Sequence, residues 1–304
     1  LAIIVNATSI LAASLIATSV VVFTKAMTPA KAYEGFSQGF VILIVVAFLI
    51  SNVVVKTGLG KRIALTMIKW FGKSSLGLGY SMMATDMILA PAFPSNTARS
   101  GVLYPIALSL AVDSGSDPEH GTQKRLGSYL MMLSIAGLTI SSGMWVTAMA
   151  ANLAGVEMAK ALGVNITPLS WMLYALVPSI AGFIILPWFL FKVMSPELKA
   201  TPQAPIMAKK MLAELGPMSR LEKITALIFV LMVFCWAFTD QINKIFPSLN
   251  IERTAVALLG LAVLLIAKAF TDEDLKKQGT ALTTFIWFAL LYALSTGLNS
   301  SGFM

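Results

Sequence analysis

Leu89-Ala90-Pro91-Ala92-Phe93-Pro94-Ser95-Asn96-Thr97-Ala98-Arg99-Ser100-Gly101 puts two prolines, a run of polar side chains and an arginine inside an otherwise apolar region. No regular helix passes through it, because each proline removes a backbone donor and its ring clashes with the preceding turn. At membrane depth, irregular backbone survives only where protein or a water-filled cavity satisfies it, so this polar tip does not face lipid. The segment 76–111 therefore reads as a membrane hairpin with its tip near Ser95.

The surroundings support a membrane setting. The chain is 57% hydrophobic and 12% charged, whereas soluble domains carry about 25% charged residues. Apolar runs at 1–23, 36–55, 126–150 with a continuation to about 162, 171–193, 221–239, 254–270 and 281–298 approach the length that crosses a bilayer. Between the second run and the hairpin, 61–71 mixes basic and apolar residues and suits an interfacial helix. The expected fold class is an all-α polytopic membrane protein.

The net charge of +8 does not indicate nucleic acid, since the basic residues sit in connectors rather than on one face or in an RNA-binding motif. If connector 56–73 is cytoplasmic, sixteen Lys and Arg fall in cytoplasmic connectors and five in external ones. That asymmetry obeys the positive-inside rule. Cys235 lies in an apolar run and reads as a small buried hydrophobe, with no disulfide framework or metal cluster available. Leu1 opens within an apolar stretch without a basic leader or cleavage pattern, so no cleavable signal peptide is expected and both ends read as cut.

A weak internal repeat aligns Ala47-Phe48-Leu49-Ile50-Ser51 and Thr57-Gly58-Leu59 with Leu291-Tyr292-Ala293-Leu294-Ser295 and Ser301-Gly302-Phe303, at an offset of 244. The expected topology runs the two copies in opposite directions, as in inverted-repeat transporters. Chance similarity between two apolar helices is the alternative. A second copy of the tip would lie about 40 residues past Met304.

Helix-end physics assigns chemistry to the tip. Ser95 is placed to cap a helix from about Asn96 to Leu110, whose free first-turn amides attract an anion. A carboxylate there would also meet the Asn96 amide and the Thr97 hydroxyl, while carbonyls freed near Pro91 suit a hard cation such as sodium. Ser-Asn-Thr runs often only cap helices, but intramembrane polar residues are costly and mark function. Across a tight tip, Asp86 falls roughly 9 Å deeper than Arg99 at 1.5 Å per residue. Asp86 is therefore expected to meet another helix, and Arg99 to lock the tip or supply positive potential.

A second interruption, Leu138-Thr139-Ile140-Ser141-Ser142-Gly143-Met144-Trp145-Val146-Thr147-Ala148-Met149-Ala150-Ala151-Asn152, reads either as a broken helix or as a small-residue packing face. In the first reading Ser141–Gly143 unwinds and offers carbonyls, and a helix resumes near Asn152. His120 sits in the polar connector Asp117-Pro118-Glu119-His120-Gly121 and is discarded as a site. Trp145, Trp171, Trp188, Trp236 and Trp287 read as span or interface residues.

These motifs resemble the divalent anion:sodium symporter family, in the branch of bacterial citrate/succinate antiporters and plastid 2-oxoglutarate/malate translocators. The matching runs are Gly58-Leu59-Gly60-Lys61-Arg62-Ile63-Ala64-Leu65, Leu89-Ala90-Pro91 leading into Ser-Asn-Thr-Ala-Arg, and Ser141-Ser142-Gly143-Met144-Trp145-Val146-Thr147 with Ala151-Asn152. The resemblance implies an inverted-repeat transporter of di- or tricarboxylates that works as a homodimer in a bacterial inner membrane by an elevator motion, by exchange or sodium coupling. It assigns the substrate carboxylate to Ser95, Asn96 and Thr97, and sodium to Pro91, Ser95, Asn96, Ser141, Ser142 and Gly143. Arg99, Asp86, Thr147 and Asn152 are supporting residues; no cofactor besides sodium is implied. On this reading 1–75 is scaffold with the interfacial helix, 76–194 the transport region, 195–220 a cytoplasmic linker, and 221–304 scaffold opening a second half that the chain lacks.

Rival classes fare worse. An intramembrane hydrolase needs a base near Ser95, and no histidine or lysine in the spans supplies one. A channel needs a filter or an acid ring, which is missing. A sodium/proton antiporter is the nearest rival, with Asp86 as proton carrier.

Overall fold

The computed structural model describes residues 5 and 7–302 of the 304-residue chain. Residues 1–4 and 6 of the first expected span, and Phe303 of the repeat, lie outside the described residues.

The first helices are α1 (Ile10–Phe23), the short α2 (Pro29–Tyr33), α3 (Gly39–Lys56) and α4 (Leu59–Phe71). The hairpin arms are α5 (Ser75–Leu89) and α6 (Asn96–Asp113), and the broken pair is α7 (Gly127–Met144) and α8 (Ala150–Ala161). The long α9 (Pro168–Met194) and the amphipathic α10 (Gln203–Leu215) follow. The chain continues through α11 (Arg220–Ala237), α12 (Thr239–Ile245), α13 (Arg253–Ile266), α14 (Asp272–Lys276) and α15 (Gly279–Ser300).

Among the described residues three helices, α3, α9 and α15, are long and apolar enough to cross a membrane, and α11 with α12, bent by 75°, makes a fourth if the pair is one span. Inside a bilayer a helix satisfies every backbone group itself, so even the β-branched run of α3, Val41-Ile42-Leu43-Ile44-Val45-Val46, stays helical. The same tolerance explains Pro105 within α6 and Pro178 and Pro187 within α9. Helix starts carry local signals: Ser9, Ser74, Thr167 and Ser219 each accept an amide of their own first turn.

Among the described residues, two large apolar cores and a smaller third, formed by Leu59, Leu89, Phe93 and Val102 at the hairpin turn, organise the packing. One gathers α3, α13 and α15 around Ile44, Val53, Trp236, Leu264 and Phe270. The other gathers α4, the hairpin, α7, α9 and α10 around Leu65, Leu78, Leu103, Tyr129 and Leu133. Residues 195–220 hold more than a linker, because α10 packs along α4. An extended strap precedes it. Ser75 donates its amide to the Lys199 carbonyl, Thr201 to that of Lys73, and Leu198 to that of Arg125, which joins the start of α5 to the start of α7.

Helices α3 and α15, which carry the two copies of the sequence repeat, lie antiparallel. Phe40 at the start of α3 meets Tyr292 near the end of α15, with ring centres 4.9 Å apart, while Asn52 bonds Gln278 at 2.6 Å at the opposite ends. Lys56 pairs with Asp274 at 2.5 Å on that same side, and this contact, with help from Thr271, holds the Asp274 carboxyl down to about 2. The polar contacts also sort the basic connectors. Lys56 meets Asp274, Arg62 meets Glu222 and the Gly216 carbonyl, and the strap joins the Lys73 and Lys124 connectors, all on the lysine-rich side. At the other end Arg253 meets Trp236, and Thr254 meets the Gly39 carbonyl.

Close approach of backbone requires glycine at Gly35, as it does at Gly77 beside the Phe71 carbonyl. A Cβ on Gly35 would stand 2.0 Å from the Ala289 carbonyl oxygen in α15, and backbone cannot move aside as a side-chain tip can. Gly35→Val is expected to destabilise the protein by about 1–3 kcal/mol. Thermal unfolding in detergent, beside Gly155→Val at an open helical position without positive φ, measures it; equal melting temperatures would remove the constraint.

Candidate functional site

The hairpin turns in two steps. A 3-10 turn at Ala90–Ala92 ends α5, then Phe93 and Ser95 adopt extended backbone before α6 begins at Asn96. Ser95 caps α6 as expected, its hydroxyl oxygen accepting the Ala98 amide at 3.4 Å. The amides of Asn96 and Thr97 precede the first intrahelical bond and remain available at the tip.

The broken helix is real, and its break lies later than the sequence suggests. Ser141, Ser142 and Gly143 form the last turn of α7, and the irregular stretch is Trp145–Met149, with a 3-10 turn at Val146–Ala148. Both serine hydroxyls lie within hydrogen-bond reach of the Leu138 carbonyl one turn back, as serines inside a helix do. The two irregular turns meet each other. Thr147 donates its hydroxyl to the Pro91 carbonyl at 2.9 Å, the Ala150 amide reaches the Pro94 carbonyl at 3.1 Å, and Trp145 Nε1 reaches the Met87 carbonyl at 3.2 Å. Backbone freed by one break is thus satisfied by the other. Because Ala150 opens α8, the positive ends of α6 and α8 both converge on the tip.

Arg99 forms an ion pair with Asp86, contrary to the sequence expectation: Arg99 Nε lies 3.1 Å from Asp86 Oδ1. The 9 Å separation assumed residue-for-residue descent on both sides of a tight tip. Extended residues advance about 3.3 Å each instead of 1.5 Å, so Phe93–Ser95 changes the register between the arms. Asp86 also meets another helix, as expected, accepting the Ser141 hydroxyl. Arg99 is fully buried, and its Nη2 donates to Asn96 Oδ1 at 2.7 Å, to Ser142 Oγ at 2.6 Å and to the Leu138 carbonyl at 3.4 Å. The Nε contact is short but off hydrogen-bond geometry, and Nη1 has no protein partner.

This network orients Asn96. A guanidinium only donates, so the atom it meets is the amide oxygen, which also lies 2.6 Å from the Ser142 hydroxyl, whose one proton it shares with the Leu138 carbonyl. The Asn96 NH2 is left as a donor. Thr97 is exposed beside it, as is Gly143 at the end of α7, where an added Cβ would meet nothing within 4 Å. Asn152 holds the break from below, donating to the Ser142 carbonyl at 2.8 Å and the Trp145 carbonyl at 3.2 Å.

The oxygens expected to hold sodium are occupied otherwise. Pro91 accepts Thr147, Ser141 serves Asp86, Asn96 and Ser142 accept Arg99, and the Gly143 carbonyl accepts Trp171 Nε1 at 2.9 Å. The Arg99 guanidinium thus stands among the side-chain oxygens of Asn96 and Ser142. Trp171 and Trp145 are contacts that sequence reasoning missed, since a tryptophan beside a span carries no mark distinguishing it from a membrane-belt residue.

Removing one partner of a buried pair strands the other charge, at a cost of about 3–5 kcal/mol. Arg99→Leu is therefore expected to lower the melting temperature steeply, and Asp86→Leu/Arg99→Leu to recover much of the loss. A double variant no more stable than Arg99→Leu, by thermal unfolding in detergent, would remove the pair from its structural role.

Over residues 1–304 the sequence matches the family described as the sodium:sulfate symporter transmembrane region. It is 40% identical over 293 residues to the transporter YflS of Bacillus subtilis, covering 96% of this chain and 60% of that protein. It is 38% identical over 283 residues to chloroplastic dicarboxylate transporter 1 of Spinacia oleracea, covering 92% of this chain and 48% of that protein. Inner membrane protein YbhI of Escherichia coli is 38% identical over 272 residues, or 89% of this chain and 55% of that protein. The chain spans about half the length of the curated relatives it matches, 60% at most among these three. With a whole-chain family match joined to an all-helical membrane fold, the chain belongs to the sodium:sulfate symporter transmembrane family, also called the divalent anion:sodium symporters, whose members are membrane transporters and not enzymes.

Proposed function

We propose that the full-length protein carries dicarboxylates such as succinate, malate or 2-oxoglutarate, with citrate as the larger candidate, across a bacterial inner membrane by exchange. One observation carries this reading: the Asn96 amide is fixed with its NH2 free, beside the Thr97 hydroxyl and the unbonded first-turn amides of α6. All of these are donors, and a carboxylate is the acceptor they suit. The plastid relatives are named dicarboxylate transporters, which supports the substrate class.

Exchange is favoured over sodium coupling by Arg99. Its fixed positive charge stands among the oxygens a sodium ion would need, so the tip stays positive without an imported cation. The second carboxylate of the substrate and the elevator motion belong to the remainder of the protein, which we infer to act as a homodimer.

The test is uptake of labelled succinate, malate, 2-oxoglutarate and citrate by proteoliposomes of the full-length protein. Flux is expected only with internal dicarboxylate, and unchanged when choline replaces sodium. Strict sodium dependence would overturn exchange, and no carboxylate flux at all would overturn the substrate class. Asn96→Ala is expected to lower flux at least about tenfold, the worth of a charge-assisted bond of roughly 1.5–3 kcal/mol, with insertion unchanged. In the same vesicles a proton gradient driving sodium without carboxylate would favour the antiporter reading and Asp86 as its carrier.

A further inference from the structure

Helix α4 has the composition of an interfacial helix, yet protein covers its apolar face. Leu59, Gly60, Ala64, Leu65 and Ile68 are buried, and the helix packs on α5 and α10. What remains outside is concentrated at its C-terminal end. Trp70 and Phe71 are 59% and 53% exposed, arranged edge to face with ring centres 6.5 Å apart. Lys69 and Lys73 flank them, both exposed and, among the described residues, without an ion pair.

The strap brings a third lysine to the same place. Thr201 donates to the Lys73 carbonyl and Ser75 to the Lys199 carbonyl, so Lys199 runs beside the α4–α5 turn. Its ammonium lies 4.7 Å from the Phe191 ring centre. Opposing charge is scarce: no acidic residue occurs between Glu34 and Asp86. Glu197 of the strap stands two residues before Lys199, with its amide on the Lys124 carbonyl, and Asp113 at the end of α6 lines a pocket with Leu198 and Ala200; among the described residues neither forms an ion pair with Lys69, Lys73 or Lys199. The start of α5, capped by Ser74, adds its own positive end to the turn.

Two aromatic rings flanked by Lys69 and Lys73, with Lys199 on the adjoining strap reaching towards Phe191 and Ser195, match a headgroup layer in both respects. Trp and Phe enter the zone between headgroup and acyl chain, while lysines attract phosphate. We propose that this end of α4, formed by Lys69, Trp70, Phe71 and Lys73 with Lys199, is a docking surface for anionic phospholipid headgroups in the leaflet on the lysine-rich side. Docking there holds α4, and through it the hairpin and α10, at the membrane surface. The proposal concerns lipid contact and stands whether or not the protein moves carboxylates.

Brominated lipids quench tryptophan on contact, so Trp70 reports directly. The full-length protein and its Trp70→Phe variant are placed in phosphatidylcholine vesicles containing equal fractions of brominated phosphatidylglycerol or brominated phosphatidylcholine. The difference between the two proteins isolates Trp70. Quenching by the brominated phosphatidylglycerol is expected to exceed that by phosphatidylcholine about two- to five-fold, a lysine near an anionic surface being worth up to about five-fold. In Lys69→Gln/Lys73→Gln the ratio is expected to fall towards unity, while Lys209→Gln/Lys210→Gln on α10 retains it. Equal quenching by both lipids would overturn the selectivity. No quenching of Trp70 would show that another part of the protein covers this end, and would overturn the proposal altogether.

Discussion

Burial of the Arg99 guanidinium is the constraint on which the rest of the site depends. A charge with no access to water persists in a membrane only when its neighbours meet it, and here they come from three places: Asp86 on one hairpin arm, Asn96 on the other, and Leu138 and Ser142 on α7. One side chain thus fixes the hairpin against the broken helix. The same contacts fix which end of the Asn96 amide faces the tip, so structural support and binding chemistry share their atoms.

The irregular backbone follows the same economy of partners. Two breaks at membrane depth would each leave orphaned carbonyls and amides, and either alone would be costly. Placed against each other they exchange bonds through Thr147, Trp145 and Ala150. Loss of regular structure in one segment requires its loss in the other, which couples the hairpin and the α7–α8 pair as one body.

Much of this was legible before any coordinates. Proline positions and the Ser95 cap marked the hairpin, because those signals act within a few residues, whereas apolar spacing overreached where Ile10–Phe23 and Arg253–Ile266 form helices shorter than a span. The Arg99–Asp86 pair was misjudged because it depends on how far the chain advances through Phe93–Ser95, a conformational quantity with no compositional mark. The break shifted from Ser141–Gly143 to Trp145–Met149 for a similar reason: serine hydroxyls can loosen a helix or bond back to it, and the neighbours decide. Burial of the apolar face of α4 against α10 lay beyond periodicity, which marks an apolar face without naming what covers it.

Helix α9 raises a matter of dimensions. Its 27 residues at 1.5 Å rise give about 40 Å, against a hydrocarbon core of about 30 Å. A helix that long must lean, bend at Pro178 or Pro187, or thicken the lipid around it, and each response costs a fraction of a kcal/mol per ångström of mismatch. Membrane thickness thereby becomes a mechanical load on the protein, applied directly to the helix packed along α7.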